Sequence, residues 1–320
     1  MKKTWLIFGG SGFIGTNLIL KIIKKNKVIC VDNSKKNNQI ILNLLKKKDK
    51  KNFILINSSI SNYSSMKKIF YKYEFDIILN LAAITSVYET SKNVKKTIKV
   101  NIDGFKNILT LMEQFKKNNL IFASSCAVYG DTLTKNNENS DLKPKSLYGL
   151  SKAKNEKIAN QFFIKYKISS IGLRFSNVYG KFQSFNSLYS AVILKWIKLI
   201  RANKSIIIHN NRKICRDFIH INDVIKAINL SSDYLLENKK VFEIFNIASG
   251  KSISLNKLLK NILDFLKIKK KDFIHNIKYK KTPKDNIIVS KVSINKLINK
   301  LFFKPNIDIK RGLRLSYLKG

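Results

Sequence analysis

Short runs of β-branched and aliphatic residues alternate with amphipathic stretches over the first two thirds of the chain. This alternation is typical of repeated strand–helix–strand units, which need a parallel sheet covered by helices on both faces. The predicted strands are Thr4–Phe8, Lys27–Val31, Asn52–Ile56, Asp76–Leu81, Leu120–Ser124 and Ser169–Leu173. We therefore predict an α/β fold with a doubly wound parallel sheet.

The rhythm changes after Asn177, where loops lengthen and strands become short. No linker rich in Pro, Gly or Ser marks a boundary, so the C-terminal part is predicted to be interleaved with the first. We divide the chain into residues 1–176 for nucleotide binding and residues 177–320 mainly for substrate binding, with later segments free to return to the first part. The predicted later elements are strands at Ile206–His209 and Phe242–Ile247 and helices at Ala191–Ala202, Asn222–Asn238, Leu255–Phe265 and Ile309–Leu318.

The chain is strongly basic, with 62 Lys and Arg against 20 Asp and Glu and a formal net charge of +42. Nearly all of these cations are lysines spread along the whole sequence, whereas specific phosphate recognition usually clusters its charge and uses Arg. We interpret the charge as a diffuse basic surface and expect no specific nucleic-acid partner. Three separated cysteines, no metal-ligand spacing and no apolar run of about 18 residues predict a cytoplasmic protein without a metal site or membrane span.

A glycine-rich turn follows the first predicted strand and opens a helix. It reads Gly9-Gly10-Ser11-Gly12-Phe13-Ile14-Gly15, the strand–turn–helix context of a dinucleotide-binding loop in a Rossmann-type sheet. Glycines let the backbone approach a pyrophosphate, whose charge then meets the free N–H groups of the helix. Asp32 ends the next strand, where a carboxylate binds the ribose hydroxyls and repels a 2′-phosphate. These residues predict NAD as the cofactor.

The sequence contains three Tyr-x-x-x-Lys elements, which place both side chains on one face of a helix. With 12 tyrosines and abundant lysine, chance alone accounts for about two of them, so neighbouring residues must decide. Tyr148 and Lys152 follow Ser125, which lies at the carboxyl end of a predicted strand, where doubly wound sheets place their chemistry. Tyr63 and Tyr88 have no such partner, and we interpret them as surface or packing residues.

Together these motifs resemble those of the extended short-chain dehydrogenase/reductases, in the branch of NAD-dependent nucleotide-sugar epimerases and dehydratases. The match runs over nearly the whole chain and is most similar to the UDP-N-acetylglucosamine 4-epimerases. Besides the glycine loop, it rests on Asp32-Asn33, Leu81-Ala82-Ala83, Asn101-x-x-Gly104, Ser124-Ser125, Tyr148-x-x-x-Lys152, Arg174-Phe175-Ser176-Asn177-Val178-Tyr179-Gly180 and Arg216-Asp217-Phe218-Ile219-His220.

The resemblance implies a UDP-sugar 4-epimerase that works through a transient 4-keto sugar. Tyr148 would act as the general base, Lys152 would acidify it and hold the nicotinamide ribose, and Ser125 would bind the reacting oxygen. Further cofactor contacts implied are Asn33, Ser59, Ile60, Leu81, Ala82, Ala83 and Asn101. Implied substrate contacts are Ser86, Ser125, Asn177, Ala191, Val192 and Arg216, and either Val289 or Ser290, whose small side chains would admit an N-acetyl group.

The chain departs from the family pattern at three places, and at one of them Asn80 stands where a His often precedes the Leu-Ala-Ala element. Ser59 stands where an adenine-binding Asp is usual, and the stretch from Lys280 to Asn286 lacks a second phosphate-binding Arg. The alternatives within the same fold are a UDP-glucose 4-epimerase and a UDP-glucuronate decarboxylase. The resemblance disfavours a 4,6-dehydratase, because the dehydratases of this branch carry an acidic pair directly after the position of Ser125, where this chain has Cys126-Ala127. A remote alternative is a catalytically idle, basic RNA-binding relative.

The resemblance also implies a homodimer formed through a four-helix contact. The helices around Val94–Phe115 and Tyr148–Tyr166 carry apolar residues at helical spacing, in excess of what one sheet face requires. The residues predicted to lie in this contact are Ile98, Ile102, Phe105, Leu109, Ile158 and Phe162.

Overall fold

A computed structural model describes residues 2–131, 134–184, 192–209, 214–280 and 291–318. Its main feature is a seven-stranded sheet in the order β3-β2-β1-β4-β5-β6-β10, in which all neighbouring strands are parallel. The two directions of winding diverge between β1 and β4, so a crevice forms at their carboxyl ends. The twelve strands described are β1 Thr4–Phe8, β2 Lys27–Asp32, β3 Phe53–Asn57, β4 Ile77–Asn80, β5 Asn119–Ser125, β6 Ser169–Phe175, β7 Asn177–Tyr179, β8 Ile206–His209, β9 Cys215–His220, β10 Phe242–Ile247, β11 Ser252–Ser254 and β12 Ile277–Lys280.

Helices cover both faces of this sheet, as the βαβ pattern requires. A π-helical stretch at Ile98–Asp103 joins two of them. The helices are α1 Phe13–Ile22, α2 Lys35–Leu44, α3 Tyr63–Lys72, α4 Val87–Lys92, α5 Val94–Thr97, α6 Gly104–Gln114, α7 Leu147–Tyr166, α8 Val192–Arg201, α9 Ile221–Glu237, α10 Leu255–Leu266, α11 Lys270–Phe273, α12 Asn295–Leu301 and α13 Ile309–Tyr317.

Residues of one strand alternate between two apolar cores. In β1, Trp5 and Ile7 pack with α1 and α9 on one face, while Leu6 and Phe8 pack with α3, α6 and α7 on the other. Burial on both faces explains why the strands read as continuous apolar runs in the sequence. The predicted doubly wound Rossmann-type fold is confirmed.

The C-terminal part forms a third core around two small sheets. Strand β9 pairs with β7 in parallel and with β11 in antiparallel, and β8 pairs with β12. Helices α8, α10 and α13 supply most of the apolar residues of this core. Strand β10 returns to the edge of the large sheet beside β6, so the chain crosses back from the small sheets to the large one.

The proposed dimer residues lie mostly inside the monomer. Phe105 and Leu109 are fully buried and Ile158 is nearly so, because α6 and α7 need them to cover the sheet. The prediction that these three are surplus to one sheet face was therefore wrong. Ile102 and Phe162 are partly buried against the same core, and of the six residues only Ile98 is exposed.

Candidate active site

The glycine loop connects β1 to α1 at the carboxyl edge of the sheet. Gly9 has a φ of +72°, and a Cβ there would lie 2.6 Å from the backbone N of Ala82, so this position requires glycine. A Cβ on Gly15 would lie 2.4 Å from the carbonyl O of Gly10, which explains how α1 packs so closely on the loop. At Gly12 the nearest protein atom to a Cβ is the carbonyl O of Gly9 at 3.2 Å, so the space in front of this residue is much more open.

The same loop leaves the first turn of α1 available to an anion. Gly12 caps this helix, and no side chain bonds to the cap. Free N–H groups and the positive end of the helix dipole then face the open space at Gly12. This arrangement fits a pyrophosphate, with Phe13 and Ile14 contributing backbone groups.

Asp32 ends β2 beside this loop. Its Oδ2 accepts a hydrogen bond from the Ser11 N–H at 3.1 Å and its Oδ1 accepts one from the Ser34 N–H at 2.9 Å. Burial raises the pKa of this carboxyl, while the backbone hydrogen bonds from Ser34 and Ser11 act against the rise. Each oxygen keeps further acceptor capacity, which suits the two hydroxyls of a ribose. Loop, helix end and carboxylate therefore fit NAD.

The other predicted cofactor residues lie along the same edge, but several are engaged within the protein. The Ser59 hydroxyl hydrogen-bonds the Ser61 hydroxyl at 2.9 Å. The Ile60 side chain packs directly on Gly104, where an added Cβ would lie 2.7 Å from it. Asn33 is exposed beside Asp32. Leu81, Ala82 and Ala83 form the loop after β4, directly behind Gly9.

Asn101 holds that loop in place. Its Oδ1 accepts from the N–H of Ile84 at 2.8 Å, and its Nδ2 donates to the carbonyl O of Ile84 at 3.0 Å. The same Nδ2 lies 3.3 Å from the Ser151 hydroxyl on α7, so Asn101 ties the loop after β4 to the helix that carries Tyr148.

Ser125, Tyr148 and Lys152 come together where β5 ends against α7. Ser146 caps the start of α7, its hydroxyl accepting from the Gly149 N–H at 3.1 Å, and so fixes the register of the helix. The Ser125 hydroxyl lies close enough to the Tyr148 phenol to lower its pKa. Lys152 lies with its Nζ 5.6 Å from the centre of the Tyr148 ring and donates to the carbonyl O of Ala123 at 2.8 Å.

Burial shifts the pKa of both titratable groups in this cluster. It raises the pKa of Tyr148 to about 12, with the Ser125 hydrogen bond acting in the opposite direction. Lys152 is 3% exposed, and burial lowers its pKa to about 8. Lys152 therefore remains mostly protonated near neutral pH, and its positive charge beside the phenol favours the phenolate.

Two predicted substrate residues, Asn177 and Arg216, lie on neighbouring strands of the small C-terminal sheet. The Asn177 Nδ2 donates to the carbonyl O of Asp217 at 2.8 Å, which joins β7 to β9. Burial lowers the pKa of Arg216 on β9, while the negative charge of Asp131 acts the other way.

The remaining predicted substrate residues lie on other elements or outside the described residues. Ser86 caps α4 by accepting from the Glu89 N–H at 3.2 Å. Val192 begins α8 and is half-buried, whereas Ala191, Val289 and Ser290 lie outside the described residues.

The other two Tyr-x-x-x-Lys elements lie away from this cluster. Tyr63 donates to Gln114 Oε1 at 2.9 Å and packs against a core, and Tyr88 is exposed. Their interpretation as packing and surface residues is confirmed. In the described part of the chain no three His, Cys, Asp or Glu side chains could hold a metal ion, and no described helix is long and apolar enough to cross a membrane.

Sequence reasoning missed the polar residues that support the site. Ser11 donates to Asn38 Oδ1 at 2.5 Å, and Asn38 Nδ2 donates to the carbonyl O of Asp32 at 3.1 Å, so both brace the ribose-binding position. Glu156 accepts from Ser124 Oγ at 2.5 Å, next to Ser125. Its position four residues after Lys152, on the same face of α7, was a usable signal.

Comparison with known proteins agrees with this geometry. The family model described as "NAD dependent epimerase/dehydratase family" matches residues 5–248. The chain is 29% identical to the UDP-N-acetylglucosamine 4-epimerase of Methanobrevibacter ruminantium, solved with UDP-N-acetylmuramic acid, at a TM-score of 0.87 with 99% of this chain and 97% of that chain covered. It is 25% identical to the UDP-glucose 4-epimerase of Thermotoga maritima, solved with UDP-glucose, at a TM-score of 0.86 with 98% and 97% covered.

A relative of another reaction type is also similar. The dTDP-D-glucose 4,6-dehydratase of Dictyostelium discoideum is 30% identical over 279 residues, which are 81% of this chain and 61% of that protein. The proteins similar to this chain therefore include enzymes named for two reaction types. The resemblance and the NAD cofactor expected from the sequence are confirmed, and the chain belongs to the NAD-dependent epimerase/dehydratase family.

Proposed function

We propose that this protein interconverts the two 4-epimers of a UDP-sugar, UDP-N-acetylglucosamine and UDP-N-acetylgalactosamine, through a transient 4-keto sugar. The observation that carries the proposal is the cluster at the end of β5, where the Tyr148 phenol lies near Ser125 and beside the buried Lys152. This cluster shares the carboxyl edge of the sheet with the glycine loop and Asp32.

Each residue of the cluster has a defined task in this reaction. When bound, NAD supplies a hydride acceptor for the sugar C4 and a positively charged ring. The Tyr148 phenolate accepts the proton of the 4-hydroxyl, and its phenol returns a proton when the keto sugar is reduced on the other face. Ser125 donates a hydrogen bond to the reacting oxygen, and the charged Lys152 stabilises the phenolate.

The residues beside Ser125 favour epimerisation over dehydration. Elimination of water requires an acid and a base next to the reacting carbons. Here Ser125 is followed by Cys126, whose thiol donates to the carbonyl O of Arg174 at 3.2 Å, and by Ala127. Burial raises the pKa of the Cys126 thiol far above neutrality, so it stays protonated and cannot act as a base.

The nucleotide would be held by the small C-terminal sheet. Arg216 offers a guanidinium fork to the diphosphate, and Asn177 offers polar groups beside it. The small residue at Val289 or Ser290 supports a sugar with an N-acetyl group, and the epimerase from Methanobrevibacter ruminantium, named for UDP-N-acetylglucosamine, is consistent with this choice. UDP-glucose is the second candidate, supported by the likeness to the Thermotoga enzyme.

The test is to incubate the purified protein with UDP-N-acetylglucosamine, UDP-glucose and UDP-glucuronate and to resolve the products. We expect the acetylated pair to be interconverted at least as well as the glucose pair. Val289→Tyr and Ser290→Tyr, made separately, should lower kcat/KM for the acetylated sugars selectively in at least one case, because an overfilled pocket rejects the larger ligand.

Three outcomes would redirect the assignment. Turnover of the glucose pair alone would move it to UDP-glucose 4-epimerase. A pentose product from UDP-glucuronate would make the protein a decarboxylase. Absence of turnover with all three sugars, together with salt-dependent retention of RNA, would support the idle basic relative instead.

A further inference from the structure

A buried ion pair lies directly behind the proposed catalytic cluster. The Glu156 carboxylate on α7 accepts from Arg174 Nε at 2.9 Å and from Arg174 Nη2 at 2.7 Å. Both side chains are almost fully buried, and the pair is bidentate. Such a pair is costly to desolvate, so it is weak evidence for stability and invites another explanation.

The pair holds the segment that carries Ser125 from both sides. Ser124, the residue before Ser125, donates its hydroxyl to Glu156 Oε1 at 2.5 Å. Arg174 Nη1 donates to the Tyr129 hydroxyl at 2.7 Å, at the end of the short helical turn Cys126–Tyr129. Tyr129 in turn donates to Asn246 Oδ1 at 2.7 Å, which ties this turn to β10.

Helix α7 therefore forms hydrogen bonds to two consecutive residues at the end of β5. Lys152 binds the carbonyl O of Ala123, and Glu156, one helical turn later, binds the hydroxyl of Ser124. Ser125 comes next in β5, and its hydroxyl lies near the phenol of Tyr148, which stands one helical turn before Lys152 on α7. The distance from Ser125 to Tyr148 thus depends on how firmly β5 and α7 are held together.

We propose that Glu156 is a positioning residue for the proposed epimerisation, fixing the end of β5 that carries Ser125 against the helix that carries Tyr148 and Lys152. The inference rests on the proposed function, because it assigns Ser125, Tyr148 and Lys152 to the reaction. Arg174 is the partner that holds the Glu156 carboxylate in place beside Ser124.

The charge of Glu156 has a second effect on the cluster. Cys126, after β5, acts on the Tyr148 phenol, and Glu156 on α7 acts on Lys152, while Arg174 on β6 pairs with Glu156. Burial lowers the pKa of Lys152, and the negative charge of Glu156 raises it again. Removing that charge makes deprotonation of Lys152 easier, so the pKa of Lys152 should fall.

The first test is Glu156→Gln, compared with Glu243→Gln as a matched control. Like Glu156, Glu243 on β10 forms salt bridges, in its case with Lys296 and Lys300, but it is not part of the network behind Ser125. In Glu156→Gln we expect kcat to fall by about 10- to 100-fold with KM nearly unchanged. We also expect the inflection in the pH profile of kcat that reports Lys152 to move to lower pH. The control should keep the kcat and pH profile of the unmodified protein.

A second variant keeps the test decisive if Glu156→Gln does not fold. Ser124→Ala removes only the link from the ion pair to β5 and leaves both charges in place. It should fold, lose kcat by roughly threefold to tenfold, and keep the pH profile unchanged. Unchanged kcat in Ser124→Ala would overturn the positioning role, even if Glu156→Gln proved unstable.

A substrate-free measurement separates this inference from the proposed function. Carbon NMR at the lysine ε positions, with Lys152→Met to identify the signal, follows the titration of Lys152 without any sugar. Its pKa, about 8 in the unmodified protein, should fall in Glu156→Gln and stay the same in Glu243→Gln. If no UDP-sugar is turned over, the proposed function fails while this titration still decides on the Glu156 charge; an unchanged Lys152 pKa in Glu156→Gln would reject its effect.

Discussion

Asp32 illustrates how one side chain selects the cofactor. The Ser11 and Ser34 N–H groups fix its carboxylate, and the remaining lone pairs are suited to accept hydrogen bonds from the free hydroxyls of a ribose. We expect clear preference for NAD over NADP, and Asp32→Asn should lower NAD affinity by roughly tenfold while reducing that preference. Titration of both dinucleotides into the two proteins measures it. Equal or tighter binding of NADP by the unmodified protein would contradict this assignment.

Removing the phenol oxygen of Tyr148 tests whether this residue is the general base. Tyr148→Phe removes the proton acceptor but retains the aromatic ring, so the fold and NAD binding should persist. The kcat should fall by roughly two to four powers of ten. Tyr63→Phe is the matched control, because its phenol bonds Gln114 away from the cluster. A large loss in the control with an active Tyr148→Phe would show that the wrong tyrosine had been chosen.

The sequence predicted the central residues of the site better than their support. Ser125, Tyr148 and Lys152 could be joined because a strand end and a helical repeat place them near one another. The link from Ser124 through Glu156 to Arg174 spans three elements, and no local spacing reveals the pairing of α7 with β6. Asp131, whose charge acts on Arg216, was missed for the same reason.

At the scale of elements, the turn from β1 to α1 allows packing and ligand effects to be separated. Gly9→Ala would place a Cβ 2.6 Å from the Ala82 backbone at a φ of +72°, so we expect a large fall in melting temperature. Gly12→Ala meets only the Gly9 carbonyl at 3.2 Å and should be stable, but its methyl occupies the space of the pyrophosphate. Thermal melts and NAD titration of both variants distinguish the two effects. Full NAD affinity in Gly12→Ala would place the pyrophosphate elsewhere.

The strands of the large sheet were predictable, and those of the small sheets were less so. Strand β1 matches its prediction, and β2 to β6 differ from theirs by one or two residues at one or both ends, because buried parallel strands are continuous apolar runs. Strand β9 begins Cys-Arg-Asp and β7 is three residues long, so neither shows an alternating pattern. These strands are stabilised by partners distant in the chain, which no local window of sequence contains.

At the scale of the whole molecule, the net charge of +42 opposes any association between copies of the chain. Five large hydrophobic side chains remain exposed on the helices that the family resemblance assigns to a dimer: Val94 at 46%, Ile98 at 40%, Leu150 at 52%, Ile164 at 61% and Tyr166 at 39%. Their burial would favour a two-fold dimer. Lysines at positions 95, 99, 154 and 157 are exposed on the same helices and would bring like charges together.

We therefore expect a homodimer that strengthens as salt is added, because salt screens the repulsion between lysines while apolar burial remains. Sedimentation analysis over a range of ionic strengths should show the dissociation constant falling as salt rises, the reverse of an interface held by ion pairs. Leu150→Asp should yield a folded monomer, because a carboxylate replaces an apolar contact at the interface. Tyr71→Asp, at a side chain 85% exposed on α3, is the control and should leave the dimer intact. A monomer at every salt concentration would refute the dimer, and an equal effect of both variants would place the contact on another face.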